Sequence, residues 1–152
     1  VMATHISTIP ALIEALRKIV TFNAATALRY QAHGAARIFS THPDRFADVG
    51  VKDYKDAPTM RRVRLAVSPI LTEGVEDLQN GFGDWRTILE TDSDAVLNVP
   101  VRTTSGEAVG QLNLMGRSGD FPPDIRDRIQ GIVNQAADCF IETAGQEPVP
   151  CR

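Results

Sequence analysis

Three amide side chains lie within two neighbouring apolar segments of the chain. Asn98 interrupts the apolar run at residues 96–101, and Gln111 and Asn113 interrupt the run at residues 109–115. An amide offers both hydrogen-bond donors and acceptors, so amides on a half-buried surface can hold a polar group of a ligand. They can equally be satisfied by loop backbone or by water. The three amides are therefore candidate ligand-binding residues, with both interpretations left open.

Aromatic and arginine side chains supply three further candidates for the same pocket. Tyr54 and Trp85 could stack on a planar ligand, although an isolated aromatic residue more often fills a core. Arg102 follows the first apolar run and shares a face with Asn98, so its guanidinium could hold a carboxylate or phosphate by two parallel hydrogen bonds. Exposure to solvent is the alternative for Arg102, and also for Arg37 on a predicted strand.

Residues suited to catalysis or to metal binding are sparse. His5, His33 and His42 are isolated and lack the spacing of metal ligands. Ser40, His42 and Asp44 lie close in sequence, but catalytic triads are assembled from distant segments on rigid elements. The sequence thus predicts neither a metal site nor an enzyme.

The amides must be positioned by the segment at residues 94–116, which predicts a β-hairpin. Two apolar, β-branched runs flank a short polar link that contains Ser105 and Gly106. Because side chains alternate between the two faces of a strand, one face of this hairpin carries only apolar residues and glycine: Leu97, Val99, Val101, Gly110, Leu112 and Leu114. The opposite face carries the three amides among apolar neighbours. We expect the first face to pack helices and the second to line a pocket.

Helices with apolar stripes are predicted at both ends of the chain. One runs from about residue 9 to 23, with Ser7 or Thr8 as its cap, and the other from Pro123 to Gly145. Between them the pattern predicts strands at 25–32, 35–40 and 68–72, a loop at 41–50, and helices at 58–66 and 84–90 that Asp56 and Asp84 cap. The predicted class is α+β: a central antiparallel sheet with the terminal helices on one face and a pocket-covering helix and loop segment on the other.

Length and charge exclude several classes of protein. The chain of 152 residues corresponds to one domain, which we place at residues 9–145, with an N-terminal segment at 1–8 and a flexible tail at 146–152. No stretch of about 20 apolar residues is present to cross a bilayer, and a net charge of −3 disfavours nucleic acid as a partner. Two cysteines, at positions 139 and 151, fit a reducing cytoplasm.

The order of these elements resembles that of a GAF domain, a ligand-sensing relative of the PAS fold. The resemblance is carried by Val-Leu-Asn-Val-Pro-Val at residues 96–101, by Gly106, and by Val-Gly-Gln-Leu-Asn-Leu at residues 109–114. Phe-Ser-Thr-His-Pro at residues 39–43 is also similar to small stand-alone bacterial members. The resemblance spans about residues 9–144. It implies a pocket on the front of the sheet, under residues 54–92, and a homodimer formed through the terminal helices.

Specialised members of this family carry residues that the chain lacks. There is no Asn-Lys-Phe-Asp-Glu motif of the kind found in cyclic-nucleotide-binding members, and no cysteine before Cys139. The resemblance therefore does not extend to cyclic-nucleotide binding, to bilin attachment, or to the reduction of free methionine sulfoxide. No cofactor is indicated, and the ligand is left unknown.

The sequence as a whole predicts a stand-alone, cytoplasmic GAF-like domain that binds a small molecule and signals through a partner or a dimer interface without catalysis. A small enzyme with a pocket constellation around His42 and Arg37 is the first alternative. A structural dimerisation module is the second, and a pocket filled by Phe82, Trp85 and Met115 would favour it.

Overall fold

A six-stranded antiparallel sheet forms the centre of the computed structural model, which describes residues 5–141. In chain order the strands are β1 (Ala24–Tyr30), β2 (Gly34–Ser40), β3 (Val51–Asp53), β4 (Ile70–Glu73), β5 (Ala95–Arg102) and β6 (Ala108–Gly116), and their order in the sheet is β3-β2-β1-β6-β5-β4. The helices of the described residues are α1 (Ile9–Arg17), α2 (Pro58–Leu65), α3 (Val75–Gly81), α4 (Trp85–Glu90) and α5 (Pro123–Asn134). The predicted α+β class is confirmed.

The central hairpin pairs in the register that alternation predicts. Three cross-strand pairs place the apolar residues on one face, which we call the back face: Leu97 with Leu114, Val99 with Leu112, and Val101 with Gly110. The opposite, front face carries Asn98 opposite Asn113 and Pro100 opposite Gln111. A bulge after Val101 ends the regular register, and Val109 packs against the core behind the sheet rather than with the amides.

The two terminal helices cover the back face, as predicted. Leu12 and Leu16 of α1 and Ile129 and Val133 of α5 are fully buried against the sheet. Thr8 caps α1 through its hydroxyl, which accepts a hydrogen bond from the third residue of the first turn. Ile6 joins the same core and donates its backbone N–H to the carbonyl of a residue just beyond α5.

Phe140 completes this core because residue 110 is a glycine. The ring belongs to a 3₁₀ turn at Ala137–Phe140 that follows α5, and it is fully buried. A Cβ atom at Gly110 would lie 2.6 Å from Cδ2 of Phe140 and 2.3 Å from the carbonyl oxygen of Leu28. Only a residue without a side chain allows sheet and ring to approach this closely.

The ends of the helices differ from the sequence prediction. Helix α1 ends at Arg17 rather than near Asn23, because the chain turns there so that the N–H of Asn23 can pair with the carbonyl of Met115. Helix α5 ends at Asn134, and its predicted end at Gly145 lies outside the described residues.

The predicted side-chain caps of the shorter helices are wrong. Asp56 ends a 3₁₀ turn at Tyr54–Asp56 that Asp53 caps, and Ala57 precedes α2. Asp84 precedes α4 but makes no capping hydrogen bond. No helix within residues 5–141 is both long and apolar enough to cross a membrane.

Candidate functional site

A cavity of about 450 Å³ lies between the front face of the sheet and the segments that cross it. We use the word cover for α2, α3 and α4 together with the loop that connects β2 to β3. Eight buried or half-buried apolar residues contribute to the cavity wall: Leu28, Phe46, Ala57, Met60, Phe82, Ile88, Val96 and Met115. The cavity thus lies under the segment that the resemblance indicated, and Phe82 and Met115 line it without filling it.

A row of four polar side chains crosses the front face, and three of them, Thr26, Asn98 and Asn113, line the floor of the cavity. The registers place Ser40 opposite Thr26, Thr26 opposite Asn113, and Asn113 opposite Asn98, so that four neighbouring strands each contribute one polar residue. We call this row the polar stripe. The adjoining row, which includes Met115, is apolar. The floor is therefore a narrow polar band set in an apolar surface.

Asn113 is the centre of the hydrogen-bond network on this floor. Its Oδ1 accepts from Asn98 Nδ2 at 2.7 Å and from Gln111 Nε2 at 2.6 Å, and its Nδ2 donates to Thr26 Oγ1 at 3.0 Å. The three predicted amides are thus brought together, and they largely satisfy one another. Loop backbone, which the sequence offered as their alternative partner, takes no part in these bonds.

One oxygen of the network is left over. Asn98 Oδ1 is buried and has no hydrogen-bond partner among the described residues, and Asn98 as a whole is only 2% exposed. A buried acceptor without a partner is destabilising by roughly 1 to 3 kcal/mol. The cavity therefore contains one acceptor that an additional molecule could satisfy.

Tyr30 extends the network toward the cover. Its hydroxyl donates to Gln111 Oε1 at 2.9 Å. Burial raises the pKa of Tyr30 well above its ordinary value, and the nearby Tyr54 raises it further, while Arg64 and Arg102 act in the opposite direction. The hydroxyl consequently stays protonated and able to donate throughout the neutral range.

Two positively charged and two negatively charged residues line the cavity. Arg37 and Lys52 come from β2 and β3, Asp56 comes from the 3₁₀ turn after β3, and Asp84 precedes α4. Lys52 and Asp56 are exposed, while the other two are half-buried. The lining of the cavity has no net formal charge from these four residues.

Two of the sequence candidates for the pocket wall lie outside the cavity lining. The Tyr54 ring packs against Leu28 and Met60, and its hydroxyl accepts a hydrogen bond from Arg64. Trp85 packs on the apolar cluster under α4, and the guanidinium carbon of the adjacent arginine lies 4.8 Å from its ring centroid. Both aromatics thus follow the core-packing alternative.

Arg102 also lies away from the cavity and holds the cover to the hairpin. Its guanidinium donates to the carbonyl of Ala66 just after α2 and, at 2.6 Å, to the carbonyl of Gly106 in the β5–β6 turn. Its backbone N–H donates to Asn134 Oδ1 at 3.0 Å. The side chain is occupied by main-chain acceptors, which is neither of the two roles that the sequence suggested.

The residues of the enzyme alternative do not converge in the cavity. Ser40 Oγ accepts the backbone N–H of His42 at 3.1 Å, and His42 Nδ1 lies 2.8 Å from Thr41 Oγ1. Arg37 lines the cavity and donates to the carbonyl of Ala47 at 3.1 Å, but His42 does not line it. Among residues 5–141 no group of three histidine, cysteine, aspartate or glutamate side chains is placed to hold a metal ion.

Thr26 and Tyr30 are the site residues that sequence reasoning missed. Both lie in β1, where an alanine-rich stretch gives no clear alternation of polar and apolar residues. Their importance depends on the pairing of β1 with β6, more than 80 residues later in the chain. Only that long-range register brings them beside the amides.

Comparison with solved structures identifies the fold. The chain is similar to the GAF domain/HD domain protein from Geobacter sulfurreducens, with a TM-score of 0.71, 16% identity, and coverage of 87% of this chain and 88% of that chain. It is also similar to the GAF domain of a two-component sensor histidine kinase from Bacillus halodurans, with a TM-score of 0.68, 14% identity, and coverage of 87% and 90%.

A third similar structure is a red/green cyanobacteriochrome in its red light-absorbing state, with a TM-score of 0.60, 13% identity, and coverage of 81% of this chain and 85% of that chain. No protein-family model matches the chain, and no curated protein sequence matches it. At these identities the likeness concerns the fold, and the chain has the fold of GAF domains.

Proposed function

From the GAF fold of the chain, we propose that it is a cytoplasmic sensory domain that binds a small molecule in the cavity on the front of its sheet. In this proposal the protein performs no catalysis, and it passes its signal to a partner protein or across a homodimer of the terminal helices. The fold neighbours named above include a domain of a sensor histidine kinase and a cyanobacteriochrome, which supports a sensory role.

The cavity itself is the observation that carries this proposal. Its volume of about 450 Å³ lies in the range of small-molecule sites, and an apolar wall with a few convergent polar groups is typical of them. A structural module would have this space filled by side chains. Phe82 and Met115 line it without filling it, and Trp85 is not part of its lining.

The cover offers a means of converting binding into a signal. Thr59 Oγ1 donates to the carbonyl of Gly81 at 2.7 Å, which joins α2 to the end of α3, and Arg45 pairs with Glu90 to join the loop after β2 to α4. A ligand that contacts these linked segments favours the cover arrangement that it binds better. The position of the cover is then the output that a partner would recognise.

Native mass spectrometry of the purified chain, followed by thermal melts with a metabolite library, tests the proposal. We expect a small molecule to copurify or to stabilise the protein by about 2.7 kcal/mol at a ligand concentration of roughly 100 Kd. The same spectra report whether the chain is a dimer.

A pair of variants locates the site. Val96→Phe adds bulk at a buried position of the cavity wall and should abolish the stabilisation, whereas Val67→Phe makes the same change at an exposed position and should preserve it. A library without any stabilising compound, together with spectra that show only the bare chain, would contradict the proposal.

A further inference from the structure

The hydrogen bonds on the cavity floor run in one direction in the structure. The hydroxyl of Tyr30 donates to Gln111 Oε1, and the other end of that amide, Nε2, faces Asn113 and donates to it. Asn113 therefore presents its oxygen, which also takes the N–H of Asn98. Turning the Asn98 amide over would place two oxygens 2.7 Å apart. Asn98 consequently presents an acceptor, Oδ1, that nothing on the floor satisfies.

The surroundings of this acceptor carry no charge. The floor residues Thr26, Asn98, Gln111 and Asn113 are neutral, and the neighbouring wall is apolar. A carboxylate or phosphate oxygen has no proton to donate, so beside Asn98 Oδ1 it would place two hydrogen-bond acceptors together. It would also lose its hydration without gaining a cation there. The two cations of the lining are balanced by two aspartates, so they do not favour anions as a class.

We propose that the molecule bound in this cavity is uncharged and mainly apolar, and that it carries a hydroxyl or N–H group that donates to Asn98 Oδ1. This inference rests on the proposed function and specifies the ligand class of the same site. Because Asn98 is 2% exposed, its oxygen is shielded from bulk water, and the matching donor must be delivered by a molecule within the cavity. Discrimination follows, since an analogue without the donor leaves the acceptor unsatisfied.

Three indoles provide a test in the intact chain. Indole carries an N–H donor, 1-methylindole has the same ring system without the donor, and indole-3-carboxylate retains the donor but adds a negative charge. Binding is followed through the methyl NMR signals of Met60 and Met115, which line the cavity. We expect indole to bind roughly five- to tenfold more tightly than 1-methylindole, and indole-3-carboxylate to bind more weakly than indole.

A variant pair assigns the preference to one atom. Asn98→Leu removes the acceptor while Asn113 Oδ1 keeps its bond from Gln111, so the variant should fold and should bind indole and 1-methylindole equally. Gln31→Leu replaces an amide by leucine at an exposed residue outside the cavity lining and should leave the preference intact.

The outcomes separate the two proposals. Equal binding of indole and 1-methylindole by the unmodified chain would overturn the ligand class and leave the proposed function standing. A preference for indole that survives in Asn98→Leu would overturn the role of Asn98. If none of the three indoles perturbs the Met60 or Met115 signals at millimolar concentration, the ligand class is overturned, while the metabolite library and the native mass spectra decide the proposed function separately. The comparison in the unmodified chain decides the ligand class even if Asn98→Leu does not fold.

Discussion

The two faces of the sheet are built from alternate residues of the same strands, yet they are packed in different ways. Behind the sheet, side chains of α1, α5 and the final 3₁₀ turn fill the space, and Leu114 is fully buried among them. In front, the next residue along β6, Met115, is almost as buried but lines an open cavity. Burial alone therefore does not distinguish a face that stabilises the fold from a face that is available for binding.

The difference arises from what covers each face. The terminal helices press continuous apolar stripes onto the back face, so every position there contacts close-packed atoms. The cover consists of three short helices, and only one side chain of α3 and one of α4 are fully buried. Its segments are joined by a small apolar cluster that includes Phe46, Leu78 and Ile88, and by the polar contacts of Thr59 with Gly81 and of Arg45 with Glu90. Short elements that span a sheet in this way leave a cavity beneath them.

Truncation of the adjacent residues Leu114 and Met115 gives the largest expected contrast between the faces. Leu114→Ala should lower the free energy of unfolding by about 3 to 4 kcal/mol, because it opens a new void in a filled core. Met115→Ala should lower it by about 2 kcal/mol, since the methionine already borders empty space. Urea unfolding measures both values, and equal losses would mean that the front face is as well packed as the back.

The features that depend on the residue pattern within a single strand or helix could be predicted from the sequence. Alternation along β5 and β6 assigns the apolar residues to the back and Asn98, Gln111 and Asn113 to the front, because the period of a strand is two wherever it pairs. The terminal helices cover the back face because each carries an apolar stripe that must be buried, and these stripes are also visible in the sequence. These features depend on local pattern and on the need to bury apolar surface.

The rest of the site depends on relations between distant segments. Thr26 and Tyr30 join the amides through the register of β1 against β6, which no local pattern reveals. Arg102 binds the carbonyls beyond α2 because the helix happens to end there, and a guanidinium will take whichever acceptors lie within reach. The open cavity is the least predictable feature, because it is the space that side chains from distant segments leave unfilled.

Replacement of the two paired asparagines by leucine should separate a structural amide from an available one. Asn113→Leu leaves the N–H groups of Asn98 and Gln111 without their acceptor and Thr26 Oγ1 without its donor, so we expect a loss of about 2 to 3 kcal/mol. Asn98→Leu removes an unsatisfied oxygen, and its effect should stay within about 0.5 kcal/mol. Comparable losses in the two variants would mean that Asn98 Oδ1 has a partner of its own.

A further expected effect concerns the hydroxyl that donates to the amide network, and its pH dependence is visible only in alkali. Burial raises the pKa of Tyr30 in the folded chain, whereas an unfolded tyrosine loses its proton near pH 10. Above that pH the unfolded chain binds fewer protons than the folded chain, so stability falls as pH rises. A single group contributes a slope of about 1.4 kcal/mol per pH unit.

Tyr30→Phe should remove this slope. It also removes the hydrogen bond to Gln111 Oε1, whose contribution to stability does not depend on pH below the alkaline range. The stability advantage of the unmodified chain over Tyr30→Phe should therefore be constant from neutral pH to about pH 9 and should shrink by about 1.4 kcal/mol per unit above pH 10. Urea unfolding of both chains across this range measures the difference, in which the titration of all other groups cancels. An advantage that stays constant into strong alkali would show that Tyr30 loses its proton in the folded protein at the same pH as in the unfolded chain.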